Sequence, residues 1–167
     1  YRKKRRYYGL LEEEISKDVR TYISGLEKGT VTVLEKLDIK EFRKSRKLNG
    51  KLSTFARGKL QQKLMEELNE KGYAFQEVEP DYPSQLCPVC PNLDPDNRDG
   101  KTFLCTCCGH RDDADHNASV NIRDRASDRE IQKVCSDYRY DHKPMQEHLK
   151  IVYASRHGKY RTHTASA

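Results

Sequence analysis

Cys87-Pro-Val-Cys90, Cys105-Thr-Cys-Cys108 and Asp113-Ala-Asp-His-Asn-Ala-Ser-Val-Asn-Ile122 are the stretches whose reading decides the fold. Zinc takes four soft ligands in a tetrahedron, and a CxxC turn points two thiolates at one ion from a tight loop. Two such turns, with fourteen residues between Cys90 and Cys105, predict a ribbon of two hairpins closed on one zinc by Cys87, Cys90, Cys105 and Cys108. Gly109 supports the second turn. Cys107 breaks the three-step spacing and is expected to be a spectator, and Cys135 a small apolar filler. Four thiolates leave no open position for water, so this zinc is expected to be structural. The ribbon tip carries Asp94, Asp96 and Asp99 and is too acidic to clamp phosphate by itself.

The rest of the composition fits that reading. With 167 residues, of which 35% are apolar and 35% charged, the chain has enough apolar material for one domain with a core and a small insert. The net charge of +6 favours a polyanionic partner. Mean hydropathy is −1.00, and no stretch approaches a membrane span or opens as a signal peptide. Six cysteines without an export signal read as metal ligands in a reducing compartment. The start, Tyr1-Arg-Lys-Lys-Arg-Arg-Tyr-Tyr8, lacks Met and looks cut from something longer.

Along the chain, Leu11, Ile15, Val19, Ile23 and Leu26 predict an amphipathic helix over 10–28, ending at Gly29. Val31-Thr-Val-Leu-Glu-Lys-Leu37 predicts a buried strand. A polar, basic linker is expected over 38–52. A second helix follows, capped by Ser53 or Thr54, with Leu60, Leu64 and Leu68 on one face and Gly72 as its stop. Tyr73 to Glu79 is the next expected strand, closed by Pro80 and Pro83, and a third helix spans 114–125. The segments are 1–80, the ribbon 81–112, the helix 113–126 and a tail 127–167. Periodicity weakens beyond Ser127, and poor order is expected near the end. His142, His148, His157 and His163 lack a ligand spacing and stay unassigned. The order of elements suits an α/β layer with short crossovers.

Two carboxylates stand out. Asp115 either caps the third helix or holds a divalent metal, and Asp112 and Asp113 are rivals for both roles. Glu35 sits inside an apolar strand, where an ionised group is costly unless paired or metal-bound; the alternative is the solvent face of an edge strand. A two-metal phosphodiester site needs several hard oxygen ligands. Glu35 and Asp115 could supply two, and a third is not evident.

The apolar strand with an embedded Glu resembles a second RuvC motif. Together with Pro83-Ser-Gln-Leu-Cys-Pro-Val-Cys90, Cys105-Thr-Cys-Cys-Gly109 and Ala114-Asp-His-Asn-Ala-Ser-Val-Asn-Ile122, it is similar in order and spacing to the C-terminal half of TnpB-like transposon-encoded nucleases and type V CRISPR effectors. The resemblance covers about 10–125. It implies a partial RNase H-like (RuvC) α/β domain interrupted by a zinc ribbon of the target-nucleic-acid-binding type. It also implies a guide RNA and target DNA as partners, the remaining N-terminal part of the same protein, a prokaryotic cytoplasmic setting, and no membrane. By matching positions, Glu35 would be the second-motif carboxylate and Asp115 the third-motif one, holding Mg²⁺ that hydrolyses DNA. Cys87, Cys90, Cys105 and Cys108 would hold zinc.

There are departures. The first-motif Asp is expected upstream of Tyr1, Asp18 falls in a helical segment, and the chain alone is expected to be inactive. Lys36 stands where relatives commonly have an acidic residue, and Pro91 where they usually have Gly. The basic run Lys40, Arg43, Lys44, Arg46, Lys47, Lys51, Arg57, Lys59 and Lys63, against one acid, Glu41, is either a solvated face or a phosphate track for nucleic acid. Arg2 to Arg6 with Tyr1, Tyr7 and Tyr8 carry the same pair of readings. The leading reading is the C-terminal part of an RNA-guided DNA endonuclease. The alternatives are a catalytically inactive RNA-guided DNA-binding regulator and a stand-alone zinc-ribbon adaptor.

Overall fold

The structure, a computed structural model, describes residues 2–37, 48–139 and 141–160. The fold is mixed α/β, as expected, and divides into two compact units: residues 1–32 with 37–76, and 33–36 with 77–167. Strands β1 (Val31–Glu35) and β2 (Ala74–Val78) pair in a two-stranded sheet.

The first unit is built on two helices, α1 (Arg2–Ser24) and α2 (Leu48–Glu70). Ile15, Val19 and Ile23 recur every fourth residue, so they fall on one stripe of α1, and they bury against Leu68 of α2. Leu11, Leu26, Leu64, Tyr73 and Phe75 pack around this cluster. The basic run at the N-terminus continues α1 rather than preceding it. The helix stops at Ser24, earlier than Gly29, because Gly25 and Leu26 donate back to Tyr22 and Ile23 and tighten the last turn.

The second helix begins earlier than expected. Residues 48–52 are helical, so the linker is shorter at this end, and Ser53 and Thr54 lie inside α2 rather than at its cap. Asn49-Gly50 reads as a turn pair, but Leu48 and Leu52 lie one helical turn apart and extend the apolar spacing backwards. Residues 38–47 of the linker lie outside the described residues. Leu60 is 42% exposed, so the buried face runs through Leu64 and Leu68 instead. Gly72 ends α2 as expected: at φ +71° it lets its N–H reach Asn69 and the Tyr73 N–H reach the Leu68 carbonyl at 2.9 Å. That is a Schellman stop, for which glycine is suited because it has no Cβ.

The second unit carries the ribbon and three helices, α3 (Ala114–Arg125), α4 (Arg129–Asp137) and α5 (His142–Tyr160). In the ribbon, β3 (Arg98–Asp99), β4 (Thr102–Leu104) and β5 (Arg111–Asp113) form an antiparallel sheet. Phe103 faces Arg98 on one side and Asp112 on the other. The boundaries of α3 coincide with the expected ones.

Two helices stand where the sequence pattern weakens beyond Ser127. Ile131, Cys135, Met145 and Leu149 are fully buried, together with Leu86 and Leu93 of the ribbon base and Tyr153. Each fully buried side chain of this kind contributes about 1.5–3 kcal/mol, so this cluster is what holds the two helices against the ribbon base. Cys135 is thus the apolar filler expected of it. The expectation of poor order near the end falls on residues 161–167, outside the described residues.

Candidate metal centre and its acidic neighbour

The ligand atoms of Cys87, Cys90, Cys105 and Cys108 all lie within 4.8 Å of one another. The Cys87 and Cys108 sulfurs are 3.7 Å apart, and those of Cys90 and Cys105 3.4 Å. A tetrahedral zinc with bonds of about 2.3 Å sets sulfur–sulfur edges of about 3.8 Å, so the cage has the size of a four-thiolate site. None of the four is in a disulfide, and Cys107 lies exposed outside the cage.

The backbone builds this cage from two tight turns. Leu86 and Leu93 bridge across the first, with the Cys87 N–H donating to Asn92 at 3.0 Å. The second closes when Cys105 donates to the His110 carbonyl and Gly109 donates to that of Cys105, Gly109 turning at φ +75°. Phe103 and Ala114, both fully buried, complete the apolar surround.

That surround sets the thiol chemistry. Burial, with the Cys105 sulfur nearby, pushes the Cys87 thiol up to about 12, and burial pushes Cys90 upward too. At Cys105 burial also opposes ionisation, but the Cys108 and Cys107 N–H groups outweigh it and hold the thiol at about 7. Cys105 is therefore more readily available as a thiolate than Cys87 and Cys90, whose ionisation a bound cation would favour.

Asn97 joins the two turns, a role not foreseen from the sequence. It is 1% exposed. Its Nδ2 donates to the Gln85 carbonyl at 2.8 Å and the Asn92 carbonyl at 3.1 Å. Its Oδ1 accepts from the Thr106 N–H at 2.8 Å and the Thr106 hydroxyl at 3.1 Å. Asn92 in turn donates to the Thr106 hydroxyl and approaches the Cys105 sulfur at 3.9 Å.

Helix α3 is tied to the ribbon by a row of side chains spaced four residues apart. Asn117 and Asn121 both donate to the Leu86 carbonyl, at 2.9 and 2.8 Å, and to that of Pro83. One turn further, the Arg125 guanidinium donates to Glu79 at 2.6 Å and Asp81 at 2.9 Å. The chain from β2 to the first CxxC thus runs along one face of α3, its carbonyls satisfied in register. The i, i+4, i+8 spacing of Asn117, Asn121 and Arg125 was the available signal for this clamp.

Asp113 caps α3, its side chain accepting the N–H groups of Asp115 and His116 at 2.9 and 3.1 Å. The capping role therefore falls to Asp113, one of the two rivals, and Asp115 does not hold it. Asp115 is 78% exposed on the first turn, 3.8 Å from Arg98. Asp112 pairs with His116 at 2.7 Å, and this hydrogen bond pulls its carboxyl below the usual range. Glu35 is exposed at the last residue of β1. Beside it Lys36 pairs with Glu79 at 3.0 Å. Among the described residues, the cysteine set is the group of three or more metal-ligating side chains that comes together. Of the candidate nucleic-acid residues, Arg57 is exposed, Lys51 lies within α2, and Arg43, Lys44, Arg46 and Lys47 lie outside the described residues.

A four-cysteine cage on a small antiparallel ribbon, clamped to a helix with a capped, acidic first turn, defines the site as a candidate metal ribbon. Residues 58–122 match the family described as Cas12f1-like, TNB domain. The CRISPR-associated endodeoxyribonuclease Cas12f1 of Sulfoacidibacillus thermotolerans is 42% identical over 64 residues, 38% of this chain and 15% of that protein. The mini-RNA-guided endonuclease CRISPR-Cas phi3 is similar in structure, with 28% identity and a TM-score of 0.54 over 74% of this chain and 19% of that one. The Cas12f1–sgRNA–target DNA complex gives 22% identity and a TM-score of 0.51 over 72% of this chain and 34% of that one. The chain is a relative of the TnpB-like and type V CRISPR effectors. It spans 15% of the length of the curated relative it matches.

Proposed function

We propose that this chain is the C-terminal part of an RNA-guided DNA endonuclease, with its ribbon serving as a structural zinc element in a RuvC-like domain. The observation that carries this reading is the division of labour at the start of α3. Asp113 caps the helix and the asparagine row fixes it to the ribbon, leaving Asp115 exposed with its carboxylate outward.

In this reading Cys87, Cys90, Cys105 and Cys108 hold zinc, and the sulfur spacing supports it. Glu35 and Asp115 are hard ligands for Mg²⁺, which when bound activates water and stabilises the leaving oxygen. Two carboxylates do not make a two-metal site, so the further ligand belongs to the rest of the protein. Guide RNA and target DNA are the proposed partners, consistent with the complex formed by the Cas12f1 relative. The basic stretch containing Arg43, Lys44, Arg46, Lys47, Lys51 and Arg57 is the proposed phosphate track, a sequence-independent and salt-sensitive contact.

The test is Mg²⁺-dependent cleavage by the complete ribonucleoprotein carrying Glu35→Ala or Asp115→Ala. Each variant is expected to bind target and fail to cut. Normal cutting by either one refutes its assignment.

A further inference from the structure

A cleft of about 420 Å³ lies between the first CxxC turn, the C-terminal end of α3 and the side of α5. It opens at the opposite end of α3 from Asp115. Its apolar lining residues are Leu86, Pro88 and Pro91 from the first CxxC turn and Tyr153 from α5. Arg125 forms part of the lining. It is 3% exposed, its terminal nitrogens are spent on Glu79 and Asp81, and its Nε has no partner among the described residues. Held this way, the guanidinium is fixed in place, with the Asp81 carboxyl as an opposing charge beside it.

The rim is mixed. Arg129, exposed at the first residue of α4, contributes a second cation. Arg156 also lines the cleft but is engaged by Asp128 and Glu130, which raise its pKa further, so its charge is already countered. Asp124 lies on the same rim. A di- or triphosphate would crowd that carboxylate, and a purely apolar ligand would make no use of Arg129. A planar heterocycle with one phosphate suits both: the ring enters between the CxxC-turn prolines and Tyr153, and the phosphate reaches Arg129. The volume lies within the roughly 300–1,000 Å³ of ligand clefts.

We propose that this cleft binds a single nucleotide unit, its base against Pro88, Pro91 and Tyr153 and its phosphate at Arg129. It rests on the reading of the chain as a nucleic-acid-binding protein and adds a binding site away from the acidic end of α3. The unit is supplied either by a splayed-out residue of a strand or by a free nucleotide.

The full 167-residue chain, zinc-loaded and ¹⁵N-labelled, is titrated with AMP, with a short single-stranded oligonucleotide, and with inorganic phosphate while the arginine Nε–H resonances are followed. The Arg125 resonance is expected to shift with AMP if the source is a free nucleotide and with the oligonucleotide if it is a strand. Ser127→Phe, at an exposed lining position, fills the cleft and is expected to abolish the shift while metal content and helicity stay unchanged. Arg129→Ala is expected to weaken binding about tenfold, the value of one charge-assisted contact. An oligonucleotide that binds without moving Arg125 overturns the cleft assignment and leaves the proposed function standing. Absence of any Arg125 shift with AMP and with the oligonucleotide likewise overturns it, the proposed function being judged on cleavage by the complete ribonucleoprotein, and a shift reproduced in full by inorganic phosphate overturns the nucleotide assignment.

Discussion

Asn97→Ala tests whether the ribbon is preorganised by its interior or only by its metal. The side chain makes four hydrogen bonds of 2.8–3.1 Å that connect Gln85 and Asn92 of the first turn with Thr106 of the second. At about 1 kcal/mol net each, they sum to about 4 kcal/mol. The Thr106 residue is exposed, so its hydroxyl recovers a bond to water, leaving about 3 kcal/mol. At 1.4 kcal/mol per decade, zinc affinity should fall about 100-fold if all of that energy serves to align the turns, and by at least about 10-fold if half does. Asn97→Asp sharpens the test, because it keeps the acceptor for Thr106 and turns a carboxylate oxygen toward two carbonyls. The assay is competition against a chromophoric chelator, with Co²⁺ absorption reporting whether four-sulfur coordination survives. Unchanged affinity in both variants would refute the interior-strut argument and leave the metal as sole organiser.

Further outcomes follow from the same geometry. Cys105→Ser should abolish stoichiometric metal binding, whereas Cys107→Ser, outside the cage, should bind one equivalent like the parent in a metal-content measurement. Burial raises the Asp81 carboxyl above its ordinary value, the main opposition being a hydrogen bond from Cys135. An acid raised in the folded state destabilises it once ionised, so Asp81→Asn should be more stable than the parent at neutral pH. That advantage should vanish in acid, where both states are protonated; a denaturant series at both pH values reads it.

How much of this was legible in the sequence varies by element. The cysteine cage was, because CxxC spacing is local and metal geometry admits few alternatives. Helix α3 and the Gly72 stop were also legible, since each rests on short-range chemistry. The start of α2 was not, because Asn49-Gly50 signals a turn that the wider apolar spacing overrides. The C-terminal helices carry only a diluted signal. Met145, Leu149, Val152 and Tyr153 keep helical spacing, but charged residues separate them, and their burial depends on Leu86 and Leu93, distant in sequence. Asn97 was invisible for a related reason: a buried asparagine in a polar loop reads as an ordinary turn residue until its four bonds are seen. The capping of α3 was narrowed only to three aspartates, and hydrogen-bond geometry chose Asp113.

The most direct measurement of the proposed catalytic role compares Asp115→Asn with Asp113→Asn in the complete ribonucleoprotein at saturating Mg²⁺, following target binding and strand cleavage together. Asparagine caps helices about as well as aspartate, so Asp113→Asn is expected to bind and cut. Asp115→Asn is expected to bind normally and lose cleavage by about a thousandfold or more, as removal of a metal-holding carboxylate from a phosphodiester site requires. Cleavage retained by Asp115→Asn and lost by Asp113→Asn would contradict the assignment of the two roles at the start of α3.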